Sequence, residues 1–335
     1  MNYSDFMEFA AKHIKDYLPP EYADANVRLD SVQKTSEQYT GLTVRLDDKN
    51  SAPVVNMKQF YEVYEQEGNL EGIMQEMATV VQMEPPAEID MDVMENYEQV
   101  KDKLFIRLAP SEGNEEIMAA SPHKLVEDML MTYNIYIPDH NGGFMAARIS
   151  NEIMAKYGIT QEQLHADAVL STGKIFEPKI LGMMEALTGL VEDDPQMMIV
   201  TNRQGMLGAS ALFCEGILDQ AAEMMKGNYF VLPSSCHEFI IVPDNGDFNR
   251  SNLEKMVKEA NETVVEAADR LSDHVYHYDS KDRIFERAEK FEARTQEKSA
   301  ERGSLLGKLQ DKKEQIERNA PVIGQNKQRQ AGLAI

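Results

Sequence analysis

The stretch from Gln196 to Asp247 constrains the fold more than any other, because its apolar spacing changes period several times within one dense hydrophobic block. Met197, Met198, Ile199 and Val200 form a short run of strand type, and Asn202-Arg203-Gln204-Gly205 reads as a turn in which Gly205 is free to take positive φ. Such a loop suits a hairpin, so Met206 and Leu207 are expected to return as a short second strand. From Ser210 the period becomes helical: Leu212, Ile217, Ala221 and Met224 lie near one stripe, with Ser210 as N-cap and Gly227-Asn228 as the stop. Tyr229 to Leu232 and Phe239 to Val242 then read as strands flanking Pro233-Ser234-Ser235. Two hairpins and a helix in one block seed a sheet with a helix on its face. The predicted class is α+β: a mixed or antiparallel sheet built of hairpins with helices packed on it, plus a charged C-terminal helical tail.

The flanking segments fit that class. Phe6, Phe9, Ala10, Ile14 and Tyr17 give a helix over Tyr3 to Leu18, ended by Pro19-Pro20. Val27 to Val32 and Tyr39 to Leu46 read as strands; Met57 to Tyr64 and Leu70 to Gln82 read as helices split at Gly68-Asn69 and closed by Pro85-Pro86. A helix is expected from Met91 to about Leu104, then an extended Phe105 to Leu108. Met129 to Ile137 and Phe144 to Ile149 form a hairpin whose Gly142-Gly143 tip lacks the frame of a phosphate loop. Asn151 to Tyr157 and Gln161 to Leu170 read as helices, and Ser171 to Asp194 as irregular. Ser251-Asn252-Leu253-Glu254 reads as a capping box opening a long helix, its stripe running from Leu253 through Leu271 towards Tyr278.

Charge excludes some functions. The chain of 335 residues carries 34 basic and 57 acidic side chains, a net −23. Residues 281–335 hold 13 basic against 9 acidic, leaving 21 against 48 for residues 1–280. An acidic body repels phosphate backbones, which argues against nucleic-acid binding. No apolar run approaches the ~20 residues of a membrane span. No secretory signal is visible at Met1, and Cys214 and Cys236 lack metal-type spacing, so reduced thiols and a cytoplasmic location are expected. The predicted organisation is a single domain over 1–280 and a charged helical to disordered tail over 281–335. Within the tail Leu305, Leu306, Leu309 and Ile316 mark a short amphipathic segment that could dock an unknown protein partner.

Candidate chemistry gathers at one corner. Ser234, Ser235, His237 and Glu238 cluster at a hairpin mouth, with Asn202 and Ser210 as possible neighbours. They could supply a nucleophile and an acid–base partner. No spacing of a known nucleophile motif is present, however, which favours turn hydroxyls bonding backbone groups, with a His–Glu pair closing the sheet edge. Cys236 and His237 are expected on opposite faces of a strand, unable to form a dyad with each other. His274 and His277 form an H-x-x-H pair at the end of the predicted long helix, a metal-type spacing without a visible third ligand. No cofactor motif is present.

Several motifs in register carry a resemblance. They are Val100 to Leu104 with Arg107-Leu108, Pro122-His123-Lys124, Glu127-Asp128-Met129, Thr201-Asn202, Gly208-Ala209-Ser210 and Leu232 to Glu238. From about residue 6 to 278 the chain resembles the uncharacterised bacterial family known as domain of unknown function 5688. The resemblance implies a setting in mobile or conjugative gene neighbourhoods of Gram-positive anaerobes and supplies no catalytic residues. Relatives tend to carry an aliphatic residue where this chain has Cys236, which argues against a required thiol. The expected function is a non-enzymatic accessory or protein-interaction factor of a bacterial mobile element. The alternative is a small-molecule hydrolase or transferase using the Ser234–Glu238 corner.

Overall fold

Asn2 opens the first helix, α1 (Tyr3–His13), by accepting the Asp5 amide, and Ile14–Tyr17 tighten into a 3-10 turn before the prolines. The computed structural model describes residues 1–33, 38–49, 52–83, 90–139, 143–193, 195–300 and 312. By contacts the chain divides into two units, Met1–Arg287 and Ala288–Ile335. In the first, strands β1 (Asn26–Gln33), β2 (Gln38–Arg45) and β3 (Val54–Asn56) form an antiparallel sheet. Helices α2 (Met57–Glu67) and α3 (Leu70–Val81) follow, separated by Gly68 at φ +67. A Gly there ends one helix at no steric cost and lets Asn69 cap the next. Phe6, Leu42, Met57 and Met74, all wholly buried, anchor the core between this sheet and its helices.

A second, separate core lies between two further antiparallel sheets. In one, β6 (Met129–Pro138) pairs along one side with β4 (Leu104–Pro110). Along its other side β6 pairs with β5 (His123–Val126) and then with β7 (Phe144–Arg148), so β5 and β7 meet end to end. Around it lie α4 (Met91–Met94), α5 (Tyr97–Val100), α6 (Glu115–Ala120), α7 (Asn151–Tyr157) and α8 (Gln161–Ile175). The other sheet contains β8 (Pro178–Gly182), β9 (Met198–Asn202), β10 (Tyr229–Ser235), β11 (Glu238–Pro243), β12 (Tyr276–Asp279) and β13 (Ile284–Arg287). Its order is β13-β12-β10-β11-β9-β8, and every pairing is antiparallel. The helices α9 (Met183–Thr188), α10 (Ile217–Met224) and α11 (Arg250–Thr263) complete the unit. Tyr133, Val200, Tyr229, Phe239, Ile241 and Tyr276 are its deepest side chains. The fold is α+β with hairpin-built antiparallel sheets.

Several local expectations are corrected. The helix expected over Met91 to Leu104 is two four-residue turns interrupted at Asn96, because Asp90 caps one turn and the chain must then become extended at Leu104. The segment expected to be irregular from Ser171 carries regular elements: α8 continues to Ile175, and β8 and α9 follow. Met206 and Leu207 are not a strand, since β9 takes β8 and β11 as its neighbours. Ser210 caps no α-helix; it lies inside the 3-10 turn Gly208–Phe213, its hydroxyl donating to the Leu207 carbonyl. Gly216 at φ +78 restarts the chain as α10. Asn249, not Ser251, caps α11, which stops at Thr263 instead of reaching Tyr278. Beyond residue 280, β13 pairs with β12 through Ile284 and Phe285, so the helix expected from Lys281 begins only after that strand, and residues 288–300 are helical. The Pro85-Pro86 stop, the Asn141-Gly142 part of the hairpin tip, Asp194 and the Leu305, Leu306, Leu309, Ile316 segment lie outside the described residues. Among the described residues no helix is long and apolar enough to cross a membrane.

Candidate functional site

The corner begins where β10 gives way to β11. Their register shifts between Pro233 and Ser235, a bulge that leaves Cys236 and His237 as the turn. Ser234 Oγ donates to Glu238 Oε1 at 3.1 Å, and Ser235 Oγ accepts the His237 backbone N–H at 3.0 Å. Both hydroxyls are used to close the turn. Glu238 pairs with Ser234, and the expected His237–Glu238 pair does not form.

Because Cys236 and His237 are turn residues, strand alternation does not separate them, and both side chains converge on Asp269. Cys236 Sγ donates to Asp269 Oδ1 at 3.6 Å, while His237 Nε2 lies 3.4 Å from the same oxygen. The Cys236 N–H also donates to the Asp269 carbonyl at 2.7 Å. Burial, with the Asp269 charge beside it, pushes the Cys236 thiol up to about 12, although Arg107 pulls the other way. It is a protonated thiol at neutral pH and a poor nucleophile.

The loop after β9 fixes the imidazole from its other side. The Leu207 N–H donates to His237 Nδ1 at 3.0 Å. A nitrogen that accepts carries no proton, so the neutral ring holds its hydrogen on Nε2, facing Asp269. Leu207 reaches this position at φ +53, and Gly208 lets the loop press close: a Cβ there would sit 2.3 Å from Thr201 Oγ1 and 2.4 Å from the His237 carbonyl oxygen. Thr201 Oγ1 donates to that same carbonyl at 2.9 Å. Asn202 is buried, and its Nδ2 donates to the Met206 carbonyl at 2.8 Å, shaping the loop. Asn202 Oδ1 is buried without a partner among the described residues.

Cys236 Sγ, His237 Nε2 and an Asp269 oxygen lie within 4.8 Å of one another, the arrangement a metal ion would use. Nitrogen chemistry opposes it. A metal on Nε2 needs the ring proton on Nδ1, where it would meet the Leu207 N–H. The trio fits a hydrogen-bonded latch better than a metal centre. His274 and His277 do not share a helix face: α11 has ended, His277 lies on β12 with Nε2 3.0 Å from Asp244 Oδ2, and His274 precedes the strand. Neither belongs to a three-ligand group among the described residues.

Sequence reasoning missed Asp269, the Leu207 amide and Arg107, which lie 33, 30 and 130 positions or so from the corner they support. Asp269 sits in a segment whose apolar spacing mimics a continued helix. Arg107 entered only through the Arg107-Leu108 motif, which gave it no role at the corner; burial and the nearby Arg148 lower its pKa, while Cys236 and Asp269 act against them. A separate cavity of about 380 Å³ is lined by Lys124, Met131, His165, Phe213, Leu218 and Phe285, among others. At its wall His165 lies between Lys124 Nζ (3.4 Å) and the Tyr133 hydroxyl (3.2 Å).

Fold and corner together define a class: an antiparallel α+β protein whose polar corner is latched by hydrogen bonds. The chain belongs to the family of unknown function DUF5688, whose model matches residues 3–280. No curated protein and no solved structure matches it.

Proposed function

We propose that the protein is a non-enzymatic accessory or interaction factor acting in the cytoplasm. The observation that carries this reading is the engagement of every nucleophile or base candidate at the corner. Ser234 donates to Glu238, Ser235 accepts from the backbone, Cys236 is a protonated thiol on Asp269, and His237 Nδ1 is occupied by the Leu207 amide. Ser234 and Glu238 stand within nucleophile–base reach, but no third group among the described residues orients Glu238, and the His237 ring bonds neither hydroxyl. Two buried cysteines without a disulfide are in keeping with a reducing compartment. The mobile-element setting rests on the family resemblance. A partner-docking role for the charged segment after residue 287 rests on its alternating charge and the Leu305, Leu306, Leu309, Ile316 spacing.

The test is covalent labelling of the native full chain with a fluorophosphonate and with iodoacetamide, read by peptide mass spectrometry. Ser234, Ser235 and Cys236 should stay unmodified under conditions that label a hydrolase stoichiometrically. Stoichiometric labelling of any of the three would overturn the reading.

A further inference from the structure

Two arginines share one face of the β4–β6–β7 sheet, and among the described residues neither forms an ion pair. Arg107 on β4 stands opposite Thr132 of β6, and Arg148 at the end of β7 stands opposite Asn134 of the same strand. Directly opposed and alternate residues of antiparallel strands point to one side. Arg107, Thr132, Asn134 and Arg148 therefore line a common face, with His123 opposite Thr132 at the gap where β5 and β7 meet. The other face carries Leu104, Ile106, Leu108, Tyr133 and Ile135 into the apolar core.

Among the described residues neither guanidinium makes a hydrogen bond or an ion pair, and Arg107 Nε is buried with no partner. Asp269 is the carboxylate that Arg107 senses, yet it forms no ion pair with it and instead holds Cys236 and His237. His123 Nδ1 is 2.9 Å from the Ser121 carbonyl, and its Nε2 makes no bond among the described residues. Asn134 and Thr132 are almost fully buried between the arginines. Both arginines are half-buried; withdrawing guanidinium groups from water without pairing them is costly, and two such charges close together repel as well. An arrangement of this kind is balanced by an oxyanion, which planar guanidinium forks bind through paired N–H donors. The strongly acidic chain repels polyanions at long range, so the fitting ligand is small.

We infer that the Arg107–Arg148 face is a binding site for a small-molecule oxyanion, a phosphate or carboxylate group, held by both guanidiniums beside Thr132, Asn134 and His123. The site goes beyond the accessory role proposed above and does not rest on it. The test uses the full chain, with calorimetric and thermal-shift titrations of inorganic phosphate and, separately, acetate, at constant ionic strength set by sodium chloride. Wild type should bind at least one of the two saturably, and the tighter of them identifies the source as a phosphate or a carboxylate compound. Arg107→Met and Arg148→Met should each weaken that binding at least tenfold. Arg148→Lys, which keeps the charge without the fork, should fall between. Should Arg107→Met not fold, Arg148→Met and Arg148→Lys decide alone. Absence of saturable binding of either anion to wild type, or unchanged affinity in the Arg148 variants, overturns the inference.

Discussion

Asp128 ties the two sheets of the larger core together, and its removal should be among the most damaging single changes in the chain. It follows Glu127, which turns the chain between β5 and β6 at φ +59. Its Oδ2 accepts from Ser272 Oγ at 2.7 Å; its Oδ1 accepts from the Tyr276 hydroxyl at 2.7 Å and from Arg287 Nε at 3.2 Å. These donors lie 144, 148 and 159 positions away, two of them on β12 and β13. The carboxylate is about one-fifth exposed and Tyr276 is wholly buried, so water cannot fully replace what is lost. Breaking a largely buried, hydrogen-bonded ion pair costs about 3–5 kcal/mol, and that is the expectation for Asp128→Ala in a urea melt at pH 7. Asp128→Asn keeps the shape and most of the acceptor geometry, so it should cost less, about 1–3 kcal/mol.

The same carboxyl gives a pH signature. Burial raises its pKa, but the bonds from Tyr276 and Ser272 and the charge of Arg287 outweigh that and hold it below the ordinary aspartate value. A depressed carboxyl contributes fully above its unfolded value of about 3.9, and its contribution fades as pH falls through the lower folded value. Asp128→Asn should therefore lose less stability than wild type on acidification below about pH 4. An Asp128→Ala cost under about 0.5 kcal/mol would refute the reasoning, because surface ion pairs are worth that little.

Other substitutions probe the rest of the fold and site. Ile241→Ala should cost about 2–5 kcal/mol in the same melt, since Ile241 is wholly buried in the central strand β11; a near-neutral result would contradict that packing. Gly208→Ala should destabilise by at least about 1–3 kcal/mol, because its methyl meets the His237 carbonyl at 2.4 Å and fixed backbone cannot move aside cheaply; a neutral melt would show the loop to be loosely held. Ending the chain after Arg287 should leave the midpoint of the remaining protein nearly unchanged, whereas ending it at residue 280 removes β13 from β12 and should lower it; equal midpoints would contradict the pairing.

Apolar spacing made the long elements readable. Phe239 and Ile241 alternate into the core as their sequence suggests, and Gly68 divides two helices where the pattern breaks. Spacing failed where polar bonds outrank it. Ser251-Asn252-Leu253-Glu254 has the letters of a capping box, but Asn249 supplies the cap, and Leu271 continues a helical stripe after the helix has ended. Strand β13 has only Ile284 and Phe285 as apolar residues among charges, so its pairing with β12 left little trace in the sequence. At the corner the sequence gathered Ser234, Ser235, His237 and Glu238 at one hairpin mouth, but it set the turn at Pro233-Ser234-Ser235, whereas β10 runs on to Ser235 and Cys236-His237 make the turn. The roles of these residues depend on Asp269 and on the Leu207 amide. A backbone N–H has no letter of its own, and contact between distant segments is a property of the packed chain.

The claim on which the functional reading turns is that His237 has no free base nitrogen. Its tautomer can be read by long-range nitrogen–proton NMR of the imidazoles, with His237→Gln assigning the signal. The geometry predicts a neutral ring protonated at Nε2, with Nδ1 accepting from Leu207. A ring protonated at Nδ1, with Nε2 bare and facing Asp269 or solvent, would contradict it and return the corner to the list of possible active sites.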